Sequence, residues 1–378
     1  MYDHFIAGEN ASQVRARVAD MKNLGFRGVI LGYAREVNIT GGVAQHGSES
    51  SVTKEAGESA IREWRDDLMN TISLLQPGDF LSVKFSGAGP LALHALANDL
   101  PPPPLLQESM HLLLRTAQAQ KARIWLDAEQ QDLQHTIEKW TKDLMRIYNT
   151  GPKALLYTTM QAYLKATPSN ILNHLKLAQA EDWTLGIKLV RGAYIATEKR
   201  ELIHDNIQDT HNAYNSIAAN LLGKSYPGID IDGDATGYPR AELFLATHNE
   251  ESIKRAHAIQ SQRIREGEPT IELAFGQLQG MADEISCGLL QLCRDDESRD
   301  SRDAPYRNPT QLELEQSILA QALKPKAYKC MVWGSTQQSL QFLLRRVKEN
   351  RDALGRTGFW VKGFEKEIWR RIRSRLGV

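Results

Sequence analysis

Short apolar runs recur along the chain: "FRGVILGYA" (26–34), "FLSVKFSG" (80–87), "RIWLDAE" (123–129) and "ALLYTTMQAY" (154–163). They continue as "LGIKLVRGAY" (185–194), "ELFLATHN" (242–249), "IELAFGQLQG" (271–280) and "AYKCMVWG" (327–334). Each has the length of a strand rather than of a helix. The segments between them carry apolar residues three to four positions apart. In 58–75 these are Ile61, Trp64, Leu68, Ile72 and Leu75; after the third run they are Leu133, Ile137, Trp140, Leu144 and Ile147. That spacing lays each set on one helical face. Eight strands alternating with helices predict an α/β fold, a parallel sheet closed into a distorted (β/α)8 barrel of the TIM type. An open doubly wound sheet shares the alternation, but eight runs fit closure better.

Residues 1–25 read as a helical lead-in. The segment "STQQSLQFLLRRVKEN" (335–350) reads as a helix over the barrel mouth, with Leu340, Leu343, Leu344 and Val347 as its core face. Residues 35–57 are polar and rich in glycine and serine, so they read as a long loop over that mouth. "PPPP" (101–104) is a stiff connection, and 293–325 is a polar, partly helical insertion before the last strand. None of these marks a domain boundary, so 1–378 reads as one barrel domain.

Composition narrows the function. Forty-two per cent of the 378 residues are hydrophobic, 24% are charged, and the formal net charge is zero. A chain without basic excess is not expected to bind nucleic acid. Three cysteines, Cys287, Cys293 and Cys330, fit a reducing compartment and no disulfide framework. No apolar stretch reaches the length of a membrane span, and the first residues show no signal or transit pattern. Several motif resemblances fail. "GGVAQHGS" (41–48) has Ser48 where a phosphate loop needs lysine, and "GAGPLA" (87–92) lacks the acidic residue of a dinucleotide fingerprint. Ten scattered histidines show no metal-ligand spacing.

The sharper signal is polar. Lys188 sits inside an apolar run with Arg191 three residues on, and an unpaired buried charge is very costly. Barrel enzymes carry their chemistry at the C-terminal strand ends. There the chain offers Lys84, Asp127 with Glu129, Gln161, Lys188 with Arg191, Thr247 with His248 and Asn249, and Gln277. Asp127 and Glu129 could be structural partners of the lysines, and His248 alone reads as a satisfied core histidine. Polar groups ending six consecutive strands describe a ring around one mouth. Arg345 and Arg346 on the last helix are either solvated or set over that mouth to grip a carboxylate.

Six motifs in order, "LDAE" (126–129), "QAYL" (161–164), "KLVRGAY" (188–194), "ATHN" (246–249), "FGQLQGM" (275–281) and "LLRRVKEN" (343–350), give the chain a family resemblance. It resembles flavin-dependent proline dehydrogenase of the eukaryotic, fungal type over nearly its whole length. The resemblance implies FAD as cofactor. It implies Lys188 near the flavin N5 edge, Arg191 at the phosphates, and Gly192 and Ala193 where backbone approaches the cofactor. Tyr194 would border cofactor and substrate. Gln161 and Gln277 would lie near the isoalloxazine, with Thr247, His248 and Asn249 along the rest of the nucleotide and Asp127 steadying the site. Lys84, Arg345 and Arg346 would bind the substrate carboxylate, and Leu189, Cys330 and Phe342 would line the substrate pocket. Hydride would pass from C5 of proline to flavin N5, giving Δ1-pyrroline-5-carboxylate. A quinone or other acceptor would reoxidise the flavin, with peripheral membrane contact and a mitochondrial location; a cytosolic enzyme is the alternative. The oligomeric state is not readable.

Two positions depart from the family pattern. Cys330 and Phe342 stand where familiar members carry tyrosines, which widens the pocket toward 4-hydroxyproline or pipecolate. Lys84 and Lys188 also leave open a Schiff-base aldolase on the same barrel. A flavin-binding protein without activity is disfavoured by three carboxylate-gripping cations.

Overall fold

The computed structural model describes residues 2–34, 53–229, 237–300, 311–349, 368–371 and 373. Eight strands form it: β1 (Gly28–Tyr33), β2 (Phe80–Val83), β3 (Arg123–Leu126) and β4 (Leu156–Gln161), then β5 (Leu185–Val190), β6 (Ala241–Ala246), β7 (Glu272–Leu278) and β8 (Lys326–Trp333). They pair in parallel in chain order and close β8 onto β1. The helices are α1 (Tyr2–Phe5), α2 (Ala11–Leu24), α3 (Lys54–Ile72), α4 (Pro90–Ala97), α5 (Pro104–Ala119) and α6 (Gln131–Tyr148). After them come α7 (Thr167–Ala180), α8 (Ile207–Leu222), α9 (Glu250–Arg265), α10 (Asp283–Asp300), α11 (Gln311–Leu323) and α12 (Thr336–Glu349). Closure supersedes the open-sheet alternative.

Strand side chains alternate between the barrel interior and the helix layer. Val29, Leu31, Leu81, Ile124, Ile187, Leu189, Leu243 and Phe275 face outward into one continuous core with the helices. Ile30, Phe80, Trp125, Tyr157, Phe244 and Tyr328 face inward as an aromatic layer across the barrel. The Phe80 ring lies 5.3–5.7 Å from those of Trp125, Tyr157, Phe244 and Tyr328. Such a layer is a packed floor, so any cavity lies above it.

Helix faces match the periodic pattern with three differences. Ile61, Trp64, Leu68 and Ile72 are buried on α3, but that helix starts at Lys54, inside the stretch read as loop, because Thr53 caps Ala56 N. The rest of that stretch, 35–52, lies outside the described residues, as does 301–310 of the insertion. Leu133, Ile137, Trp140 and Leu144 are buried on α6, whereas Ile147 is exposed at its last turn. On α12 the inward face is Ser339, Phe342, Leu343 and Arg346; of the expected leucine stripe Leu343 belongs to it, whereas Leu340 and Leu344 are exposed. The i, i+3, i+4, i+7 spacing of those four residues sets the face, and it places Phe342 on Ile6 and Val332. Val347 lies outside the described side chains.

The lead-in docks on the same end of the barrel. Ala7 N donates to Val332 O, and Gln279 donates to Ile6 O, so α1 and the chain after it run along β8 beneath α12.

Candidate active site

A cavity of about 440 Å³ opens above the aromatic floor at the C-terminal strand ends. Lys84, Asp127, Gln161, Lys188, Arg191, Gly192, Ala193, Tyr194, Thr247, His248, Gln277, Cys330, Phe342 and Arg346 all line it. Two of the sequence candidates do not. Leu189 faces outward into the core, because the inward Lys188 beside it fixes the parity. Asn249 turns away to cap α9, accepting from Ser252 N. The Arg345 side chain lies outside the described residues.

Lys188 and Arg191 are held by different means. Lys188 is 9% exposed and donates to Asp127 Oδ1 at 2.5 Å, with its ammonium 4.1 Å from the Trp125 ring centroid. Lys84 holds the other carboxylate oxygen, which also accepts from Ser82. Burial alone would raise the Asp127 pKa; the Lys188 and Lys84 ammoniums overcome it and hold the carboxyl far below the usual range. Glu129 is buried and accepts from Ser86 N; burial raises its pKa, and the Ser86 bonds and the Lys84 charge oppose that rise.

Arg191 has no such anion. It donates to His211 Nδ1 (3.0 Å), Thr247 Oγ1 (2.7 Å) and Ser252 Oγ (2.9 Å), and it stacks on Tyr214 at 4.3 Å. Every one of these partners is neutral. Among the described residues no carboxylate lies within ion-pair distance of it, and burial lowers its pKa. Thr247 and Ser252 flank the first turn of the 16-residue helix α9, whose backbone N–H groups carry partial positive charge. Arginine and helix end together suit an anion.

Among the described residues, buried Gln161 Nε2 and Trp125 Nε1, both on cavity-lining residues, also lack hydrogen-bond partners. Gln161 Oε1 meanwhile accepts from Ala193 N. Beside them Gly192 has φ +144°, and a Cβ there would meet the Tyr163 ring at 2.4 Å. Only glycine fits that bend, and it leaves bare backbone at the cavity wall. Orphaned donors, an uncompensated arginine and a bare backbone cradle together fit a large anionic nucleotide with many acceptor atoms.

The rest of the wall matches a small anionic substrate. Four cationic side chains, Lys84, Lys188, Arg191 and Arg346, line the cavity against two carboxylates, Asp67 and Asp127. Arg346 reaches in from α12 with its guanidinium 4.9 Å from the Phe342 ring. Cys330 takes an inward position on β8, and burial pushes its thiol up to about 11, so it is a neutral wall rather than a nucleophile. No group of His, Cys, Asp and Glu fit to hold a metal occurs among the described residues.

Some of the site escapes the sequence reading. Trp125, beneath Lys188, looks like core until its unpartnered N–H is seen. Lys329 and Ser286, behind Gln277, lie outside the cavity; a lysine centred in the apolar run "AYKCMVW" is the signal that could have exposed the first.

Comparison with known proteins agrees with this geometry. The family model described as proline dehydrogenase matches residues 14–358. A probable mitochondrial proline dehydrogenase of Schizosaccharomyces pombe is 26% identical, over 98% of this chain and 79% of the relative. A hydroxyproline dehydrogenase of Bos taurus is 24% identical, over 99% of this chain and 81% of that protein. Among solved structures, proline utilization A of Bdellovibrio bacteriovorus, inactivated by N-propargylglycine, superposes with a TM-score of 0.65 at 14% identity. That match covers 92% of this chain but 32% of the larger protein, and it supports the barrel fold. The chain belongs to the proline dehydrogenase family.

Proposed function

We propose that this chain is an FAD-dependent dehydrogenase that oxidises L-proline to the cyclic imine Δ1-pyrroline-5-carboxylate. The observation that carries the reading is Arg191, a half-buried cation with only neutral partners at the first turn of α9. In this reading its missing anion is the cofactor's pyrophosphate. Gln161, Gly192, Ala193, Thr247, His248 and Gln277 would hold the remaining nucleotide. Bound FAD supplies the two-electron acceptor that no side chain provides.

The chain's own residues do the rest. Arg346 and Lys84 bind the substrate carboxylate; the guanidinium does so in two-pronged geometry, fixing the ring's orientation. The excess of cations around the site disfavours a protonated substrate amine, which leaves its lone pair free to assist hydride loss. Asp127 keeps the two lysines from repelling each other and holds both ammoniums in place. The aromatic floor closes the site to water from below. Lys84 and Lys188 are both engaged with Asp127, which speaks against a free amine poised for Schiff-base chemistry.

A second substrate reading rests on Cys330 and Phe342. Behind them lies a recess of about 10 Å³, bordered by Phe5, Met281, Val332 and Leu343. A thiol in place of a ring leaves more of this wall open, so 4-hydroxyproline is the competing substrate. The names of the relatives favour a mitochondrial setting with a quinone or similar acceptor; among the described residues no helix is long and apolar enough to cross a membrane.

The test is to purify or reconstitute the protein with FAD and mix it anaerobically with L-proline, 4-hydroxyproline and pipecolate. Loss of the flavin band at about 450 nm with L-proline supports the reading. Bleaching by 4-hydroxyproline alone moves the assignment to the second substrate. Protein that takes up no FAD, or holoprotein that none of the three bleaches, overturns the proposal.

A further inference from the structure

Tyr194 lines the cavity from a stretch of chain whose neighbours are mostly exposed: Gly192 and Ala193 before it and residues 195–197 after it. A segment with so little buried surface opens at low free-energy cost unless polar bonds tie it down. On one side of Tyr194, Ala193 N donates to Gln161 Oε1 at 3.3 Å. On the other the chain turns tightly, and Thr197 N and Glu198 N both donate to Tyr194 O at 2.9 Å.

Glu198 closes that turn onto the scaffold. Its Oε1 accepts from Gln131 N at 3.0 Å. Gln131 is the first residue of α6, and a helix start leaves such N–H groups without an intrahelical partner. Gln130 stands where a local cap belongs, but its side chain makes no capping bond and donates instead to Thr197 Oγ1 at 3.4 Å. The cap is therefore supplied from 67 residues away by a carboxylate, the charge that a helix start favours. Glu198 is half-buried; burial raises its pKa, and the Gln131 N–H opposes that rise. Only Ala128, Glu129 and Gln130 separate Asp127 from the start of α6. Tyr194 meets this same connection, its hydroxyl donating to Ala128 O at 3.4 Å. The ring at the cavity wall and the carboxylate that orders the lysines are thus tied to one short loop.

We infer that Glu198 is a positioning residue: by capping α6 it fixes Tyr194 at the cavity wall, in register with Asp127, and so sets the space left for the substrate. Glu198 is not among the residues that line the cavity, and it acts through the Tyr194 backbone. Without the tie the turn drifts, and a displaced wall residue weakens the hold on a small substrate.

The inference rests on the proposed dehydrogenase function, and the experiment separates the two. Holoprotein is prepared as wild type, Glu198→Ala, Glu198→Gln, Tyr194→Ala and the double Glu198→Ala/Tyr194→Ala. KM and kcat for L-proline and the Kd for FAD are measured on each. Glu198→Ala should raise KM about tenfold, the size of one hydrogen bond, while kcat and the Kd for FAD stay within about twofold of wild type. Glu198→Gln keeps the accepting oxygen and should recover most of the loss. In the Tyr194→Ala background Glu198→Ala should no longer move KM. Limited trypsin cleavage after Lys199 or Arg200 reads the tie without turnover: it should quicken in Glu198→Ala and not in Glu198→Gln. A KM effect that persists without Tyr194 means a structural role and overturns the inference. So do an equal loss of FAD affinity, wild-type KM or unchanged cleavage in Glu198→Ala, and a Glu198→Gln as impaired as Glu198→Ala. If Glu198→Ala does not fold, Glu198→Asp, which keeps the charge and shortens the reach, enters the same cycle with the same expectations. Wild-type holoprotein that L-proline does not bleach ends the functional reading and this inference together, whereas a wild type that oxidises proline without this coupling ends only the inference.

Discussion

Asp127 carries two burdens at the scale of a single residue: it orders the cavity and it makes Lys84 and Lys188 tolerable neighbours. Asp127→Asn keeps the shape and removes the charge, taking from two adjacent ammoniums the carboxylate they share. The expected loss is on the order of 3–5 kcal/mol at neutral pH, the usual result of breaking a buried pair. Chemical denaturation of wild type and variant measures it, and a loss below about 1 kcal/mol would mean the lysines are solvated. The pH dependence has a definite sign. A carboxyl whose pKa is depressed by folding contributes fully above its unfolded value of about 3.9 and loses that contribution progressively as pH falls from there through the lower folded value. The advantage of the wild type over Asp127→Asn should therefore be constant near neutral pH and shrink as pH falls below about 4. Arg346 makes a different residue-level prediction. Arg346→Met removes one arm of the carboxylate grip, so KM for proline should rise by about 10–100-fold while the flavin stays bound. Unchanged steady-state kinetics would remove Arg346 from the substrate site.

Single elements show why the fold is legible and where it is not. The eight strands are readable because buried parallel strands are short apolar runs with helical spacing between them. The same alternation misplaces Leu189 only if it is ignored: with Lys188 inward, its neighbour must face the helices. Helix α12 is harder, since Leu340 and Leu344 look like a core stripe while the mouth it covers is polar and selects Phe342 and Arg346. The juxtaposition of residues on neighbouring strands, such as Lys329 beside Gln277 across β7 and β8, is invisible until the register is known. Helix α7 supplies a prediction of its own. His174 is 3% exposed, its Nδ1–H donates to Asn170 O at 2.7 Å, and burial pulls its pKa down to about 4. Between about 6.5 and about 4 the unfolded chain binds a proton that the folded one refuses, so stability falls as pH falls through that window. The loss is on the order of 3 kcal/mol. Melting curves across that range should show a shallower slope in His174→Gln, and an identical slope would mean that His174 does not govern it.

Across the whole molecule, charge is divided between the two ends of one barrel with the aromatic layer between them. At the N-terminal end Arg123 donates to Tyr157 OH at 2.7 Å and to Glu242 at 3.1 Å, with Glu272 at 3.8 Å and Lys326 beyond it. Burial raises the Glu242 pKa, Arg123 opposes it, and Tyr157 donates to the same carboxylate. Arg123, Glu242 and Glu272 do not line the cavity of the site, and the rings of Phe80, Trp125, Tyr157, Phe244 and Tyr328 lie between the two. Barrels of this architecture put stability at this end and chemistry at the other. Arg123→Met should therefore cost on the order of 3 kcal/mol of stability yet leave the proline KM within about twofold of wild type. The two ends can be tested against each other. Arg123→Met combined with Asp127→Asn should cost the sum of the single losses to within about 0.5 kcal/mol, because the two networks share no partner. A larger discrepancy would show that the packed rings transmit strain from the closed end to the site. Arg123 would then bear on the reaction it never touches.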